Sequence, residues 1–180
     1  EYADLTDPKP PTVDAIQKIL RDDESLISFY FGRERSFVWV VPSVGSVSFK
    51  ELKINATQME NYVGHLREAL EPNASTVADI PPFDLKQAFE LYSLILQPVE
   101  ASWQKSESLI IISNGALGLL PLSILPKSPV QDGASEKLFD EYRHVDWLAR
   151  SHAVSNVPSS SALLTLRKFA PSQPNRNPLI

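Results

Sequence analysis

The chain has 180 residues, a formal net charge of -5 and no cysteine, with 43% hydrophobic residues and a pI near 5.2. Scattered acidic residues without a basic block argue against binding nucleic-acid phosphates. The missing cysteines exclude disulfides, thiolate metal sites and a cysteine nucleophile within these residues.

A chain of this size buries roughly 70% of its unfolded surface, so one globular domain is expected. No apolar run approaches the roughly 20 residues of a membrane span, and the opening Glu-Tyr-Ala-Asp lacks the basic and apolar regions of a signal peptide. Neither a membrane anchor nor secretion is expected, and a cytoplasmic location is the reading.

Residues 1–11 carry Pro8, Pro10 and Pro11 among charged residues and read as a leader or linker. Thr12 then caps a short helix with Val13, Ile16, Ile19 and Leu20 on one face and Asp14 in its first turn. Three aromatic and β-branched runs follow, Ser25 to Phe31, Ser36 to Val41 and Ser46 to Ile54. The turn residues between them predict an antiparallel meander.

Thr57 with Glu60 matches a capping box ahead of a helix carrying Met59, Tyr62, Val63, Leu66 and Leu70, stopped near Glu71 by Pro72. Asp84 with Gln87 caps the strongest amphipathic stripe: Leu85, Ala88, Phe89, Tyr92, Leu96, Val99 and Trp103. Pro98 predicts either a kink or a second helix starting there.

Leu109, Ile110, Ile111 and Ile112 form a run without polar alternation, the pattern of a parallel strand covered on both faces. Asn114-Gly115 turns the chain, since both residues tolerate positive φ. Leu117, Leu119, Leu120, Leu122, Ile124 and Leu125 return it to the core. Residues 126–143 read as a surface insertion with a short helix around Ser135 to Tyr142, after which Trp147 and Leu148 re-enter the core. A strand over Ser151 to Val157 and a helix from the Pro158-Ser-Ser-Ser161 caps to Lys168 complete the domain. Residues 170–180 are expected to be a linker, with Leu179-Ile180 opening a further strand.

The bare chemistry is sparse. His65 faces away from the apolar stripe of its helix and reads as a surface group, with Glu68 at i+3 but no second histidine for a metal. His144 sits in a loop, and both it and His152 lie far along the chain from His65. Ser159, Ser160 and Ser161 are explained by helix capping, without the Gly-x-Ser-x-Gly elbow of a serine hydrolase. Asn114-Gly-Ala-Leu-Gly118 lacks the lysine and spacing of a phosphate loop. The Arg33-Glu-Arg35 hairpin tip reads as solvated. No catalytic, cofactor-binding or metal-ligating residue is assigned, and no cofactor is expected.

In order along the chain, Leu109 to Leu125 and Leu148 to Leu164 resemble the first half of the CHAT domain, a caspase-like module often found behind tetratricopeptide repeats. The hairpin from Leu26 to Val41, the helix Tyr62 to Leu70 and the segment Phe89 to Pro98 support the likeness, which covers nearly the whole chain. It implies an α/β caspase- and separase-like sandwich half: an N-terminal antiparallel hairpin or meander, amphipathic helices and a mostly parallel core sheet. Residues 12–169 would be the N-terminal, pseudo-protease-like half. The family's protease site is built from a histidine and a cysteine located downstream, so no catalytic residue carries over. The implied role is a scaffold bracing that catalytic half, with tetratricopeptide-repeat helices as a further partner. The alternative is a non-catalytic interaction module of the same fold. Exposed apolar surface at one sheet edge and one helix face is expected to mark the contact.

Overall fold

The computed structural model describes residues 10–72, 74–130 and 139–168. Its frame is a five-stranded sheet in the order β3-β2-β1-β4-β5. The strands are β1 (Glu24–Phe31), β2 (Ser36–Pro42), β3 (Ser48–Leu52), β4 (Ser108–Ile112) and β5 (Ala153–Asn156). The expected meander is present: β1 pairs with β2 and β2 with β3, both antiparallel. The third strand is shorter than its predicted span because Gly45, at φ +106°, and the residues after it belong to the turn. Gln17 pins that turn by donating to the carbonyls of Pro42 at 3.0 Å and Gly45 at 2.9 Å. At the first hairpin, the N–H of Gly32 donates to the Arg35 carbonyl at 3.1 Å. A Cβ at Gly32 would lie 2.6 Å from that oxygen, so the turn requires glycine.

β4 is flanked by parallel partners, β1 on one side and β5 on the other. Leu109, Ile110 and Ile111 are 0%, 3% and 1% exposed, which accounts for the unbroken apolar run. Leu109 and Ile111 face the larger core and Ile110 faces the smaller one. The larger core joins Ile27, Phe29 and Phe31 of β1 to two helices, α2 (Ala56–Leu70) and α3 (Leu85–Ile95). The smaller core holds Leu26, Val41 and Ile110 beneath Ile16 of α1 (Val13–Gln17) and Leu163 of α5 (Ser160–Lys168).

Capping sets where the helices begin. Thr12 accepts from the Ala15 N–H at 3.2 Å and Asp84 from the Gln87 N–H at 2.8 Å, both as the sequence predicts. The α2 cap differs: the capping box is Asn55 with Gln58, not Thr57 with Glu60. Asn55 Oδ1 accepts from the Gln58 N–H at 2.9 Å while Gln58 Oε1 accepts from the Asn55 N–H at 3.0 Å. The physical reason is the neighbouring pair Ile54 and Met59, both buried; flanking Asn55, they stand at staple positions that fix the entry of the chain. On this helix Leu70, predicted to share the buried stripe, is 41% exposed.

α3 buries more than its predicted stripe, adding Leu91 and Ile95 at 0% exposure. It ends before Pro98, which lies in a 3₁₀ turn (Gln97–Val99) leading to α4 (Glu100–Trp103). The second predicted alternative is thus the observed one, with a 3₁₀ turn interposed. Trp103 Nε1 donates to the Leu96 carbonyl at 3.2 Å, supplying a partner for the broken helix end.

In the turn that follows β4, Gly115 takes positive φ, +63°, whereas Asn114 is extended at φ -107°. Asn114 has another task. Its Oδ1 accepts from the Phe31 N–H at 2.8 Å and its Nδ2 donates to the Phe31 carbonyl at 3.2 Å, so it ties the end of β1 to the turn after β4. In the following 3₁₀ turn (Gly115–Leu119), Leu117 is buried with Leu120 just beyond, whereas Leu119 is 59% exposed. Residues three apart eclipse in this helix type, which leaves Leu119 off the inward face. Leu122, Leu125 and Leu148 are buried as expected and Trp147 is half-buried.

The predicted helix around Ser135 to Tyr142 falls partly on residues 131–138, outside the described residues; a 3₁₀ turn occupies Asp140–His144. Most of the 1–11 leader and all of the 170–180 linker also lie outside them.

Candidate functional site

The residues that converge into a concave surface come from three distant segments. Ala69 and Leu70 end α2, Ile80, Pro81 and Phe83 precede α3, and Ile124 with Phe139, Tyr142, Trp147 and Arg150 line the far wall of a pocket of about 470 Å³. The wall is held by the chain's own polar groups. An isolated bridge joins Pro126 to Trp147, and the Leu148 N–H donates to the Leu125 carbonyl at 2.9 Å. Trp147 Nε1 donates to the Tyr142 carbonyl at 3.0 Å, and the Tyr142 hydroxyl accepts from the Phe83 N–H at 2.7 Å. The rings then pack with centroids 6.2 Å apart for Phe83–Trp147 and for Tyr142–Trp147, spacings typical of attractive aromatic pairs. The pocket therefore presents mainly ring faces and aliphatic carbon, with Ser123 and Arg150 as its polar lining residues.

A second recess of about 360 Å³ continues from it over the same Ala69, Pro81 and Phe83, and adds His65, Glu68 and Asp84. His65 Nε2 lies 3.2 Å from Asp84 Oδ2 and its Nδ1 lies 3.8 Å from Glu68 Oε2. The same Asp84 carboxylate caps α3 with its other oxygen. His65 is at the surface as predicted, with its side chain 48% exposed, but it also joins two helices through a residue 19 positions away. Sequence spacing shows only the Glu68 contact.

The other sequence candidates lie apart from this groove. His144 is exposed in its 3₁₀ turn. His152 is 8% exposed, packs edge-on against Trp103 at 5.1 Å and contacts Ser151 Oγ through Nδ1 at 2.8 Å. Burial holds its pKa below the usual imidazole value, with Lys127 acting in the same direction and a backbone bond at Gln104 and the charge of Glu100 opposing. Ser159 Oγ accepts from the Ala162 N–H at 3.1 Å, a capping bond. Arg35 is paired with Glu51 through bonds of 2.8 and 2.7 Å and sits over the Phe37 ring. That pairing holds the Glu51 carboxyl below its usual range and raises Arg35. Among the described residues, no group of three His, Asp or Glu side chains could hold a metal ion.

A second apolar exposure lies on the sheet. α1 and α5 cover Leu26, Val41 and Ile110, but beyond them the same face carries Tyr30 at 50% and Phe49 at 51% exposure. Trp39 packs at a tilt against Phe37 and Phe49, with centroids 6.0 and 5.2 Å away, and those two phenylalanines stack on each other at 5.5 Å.

A mixed sheet with a parallel core and helices on both faces is an α/β domain compatible with a caspase-like fold. The family profile described as the CHAT domain matches residues 85–180, more than half of the 180 residues, and the chain belongs to the CHAT family. No curated protein matches it in sequence. Among solved structures, one titled "Alp12 filament structure" is similar, with 9% identity and a TM-score of 0.40. That alignment covers 87% of this chain and 51% of the other, so the chain spans about half the length of that structure. Among the described residues no helix is long and apolar enough to cross a membrane.

Proposed function

We propose that this chain is the N-terminal scaffold half of a CHAT-family caspase-like cysteine protease and braces a catalytic half that carries the histidine and cysteine. The observation that supports this reading is the edge of the parallel sheet. β5 pairs with β4 on one side and with no described strand on the other. Ala153 and Val157 donate their N–H groups toward the β4 segment, so by the alternation of a strand the N–H groups of Val154 and Asn156 face outward. An unpaired parallel edge beside a largely buried strand is a site for another strand. Leu166 of α5, 61% exposed, supplies an apolar helix face near the same end of the chain.

The sequence encoded beyond Ile180 gives the first test. A His-Gly pair followed by a cysteine after a later apolar strand supports a protease, and their absence supports a stand-alone interaction module instead. In a chain that includes the downstream half, Asn156→Pro removes an outward N–H without touching the β4 ladder. The expected result is loss of peptide hydrolysis with the thermal midpoint of residues 1–180 little changed. Full hydrolysis by the Asn156→Pro protein would overturn the edge-pairing reading.

A further inference from the structure

We infer that the groove between α2 and the 139–150 segment is a docking site for an extended peptide with three features in line: an acidic residue, a bulky apolar side chain and a basic residue. The centre of the groove fixes the apolar requirement. Trp147 commits its indole N–H to the Tyr142 carbonyl and the Tyr142 hydroxyl accepts from Phe83, so the lining is mostly rings and aliphatic carbon and favours an aromatic or large aliphatic side chain over a polar one. The pocket of about 470 Å³ falls in the size range of pre-formed binding sites.

The two ends differ in charge, which gives the occupant a direction. Arg150 lines the apolar pocket and donates to the Arg143 carbonyl; among the described residues it has no carboxylate within ion-pair distance. With one N–H committed to that carbonyl, its remaining N–H groups can take a carboxylate. The adjoining recess carries Glu68 and Asp84 against the single imidazole of His65, with side chains 69%, 40% and 48% exposed. That end attracts a cation. Ala69, Pro81 and Phe83 line both recesses, which makes them neighbours, and the proposed peptide would run from one to the other with its acid at Arg150 and its base at Glu68 and Asp84. Charge placed this way selects orientation and partner more than it adds affinity.

The test uses residues 1–180 and a fluorescently labelled seven-residue peptide with glutamate, phenylalanine and lysine separated by glycines, read by anisotropy. Three controls accompany it: the same peptide with the two charges exchanged, one with alanine for phenylalanine, and a long-chain fatty acid as competitor. The expected result is saturable binding, weakened about 10-fold or more by either peptide change. Arg150→Glu, at an exposed position, makes both ends of the groove acidic, so it is expected to abolish the preference between the parent and charge-exchanged peptides and to strengthen binding of a peptide with lysine at both ends. Because that strengthening is a gain for one peptide, misfolding cannot mimic it. Absence of saturable binding, equal binding of both charge orders, an Arg150→Glu protein that keeps the parent preference, or displacement by the fatty acid at comparable concentration would each overturn the proposal.

Discussion

Two side chains show how much a single residue holds here. Asn114 closes the gap between β1 and β4 with two bonds to Phe31 across 83 positions of sequence. Asn114→Ala leaves a backbone donor and acceptor without their protein partners and is expected to lower stability by about 1–2 kcal/mol in urea unfolding. Asn114→Asp retains the acceptor toward the Phe31 N–H but sets a charge against its carbonyl, so it should recover only part of that loss. His152 makes a pH prediction. Its folded-state pKa is depressed from 6.5, so between that folded value and about 6.5 the unfolded chain binds a proton that the folded chain does not. The stability contributed is present above about 6.5 and is lost as pH falls through and below it. Thermal melts at pH 7.5 and 5.5 should therefore differ, and His152→Phe, which keeps a ring against Trp103, should narrow that difference. An unchanged difference would mean that another group carries it. The packing role of His152 is what the family resemblance implies; the Asn114 clamp was not readable, because nothing local distinguishes a turn asparagine that bonds its own loop from one that bonds a distant strand.

At the scale of elements, the continuous run in β4 and the Asp84 cap were readable because each depends on neighbours within a few positions. The Asn55 cap was misplaced for the opposite reason. Asn-x-x-Gln at 55–58 and Thr-x-x-Glu at 57–60 both satisfy the local pattern, and burial of Ile54 and Met59 decides between them. Ile111, 1% exposed between two parallel strands, gives the direct test of the central strand. Ile111→Ala should cost on the order of 2–5 kcal/mol through the cavity it leaves, which lowers the thermal midpoint of a domain this size by about 4 °C or more. α5 is held differently. Glu24, its side chain 5% exposed, accepts from Arg167, 25% exposed, and from the Arg21 N–H at 2.8 Å. Arg167→Ala leaves the buried carboxylate with the Arg21 N–H and a 3.9 Å contact to the Arg21 guanidinium, so the cost is that of one charged hydrogen bond, about 1.5–3 kcal/mol. Hydrogen exchange should show α5 deprotected beyond the global change, and uniform exchange across the domain would contradict a local clamp.

For the whole molecule, the groove could not be read from sequence: its walls come from residues 65–84, 123–124 and 139–150, and only the fold places them together. The exposed aromatic face around Trp39 was likewise hidden, since strand alternation marks the inner face of β2 but does not say how far α1 and α5 extend over the outer one. What the sequence does dictate is a negative about chemistry, and the structure permits a sharper form of it. With no cysteine in the chain, the closest pairing of a hydroxyl with an imidazole among the described residues is Ser151 Oγ at 2.8 Å from His152 Nδ1. A serine hydrolase needs an imidazole that can pass the proton on to a leaving group beside an oxyanion site. His152 is 8% exposed with its ring against Trp103, so a substrate does not reach it. Residues 1–180 incubated with a peptide library and with a serine-directed fluorophosphonate are therefore expected to give neither turnover nor labelling. Labelling at Ser151, abolished by Ser151→Ala with the fold retained, would show that the dyad is open to substrate and that this half carries chemistry of its own.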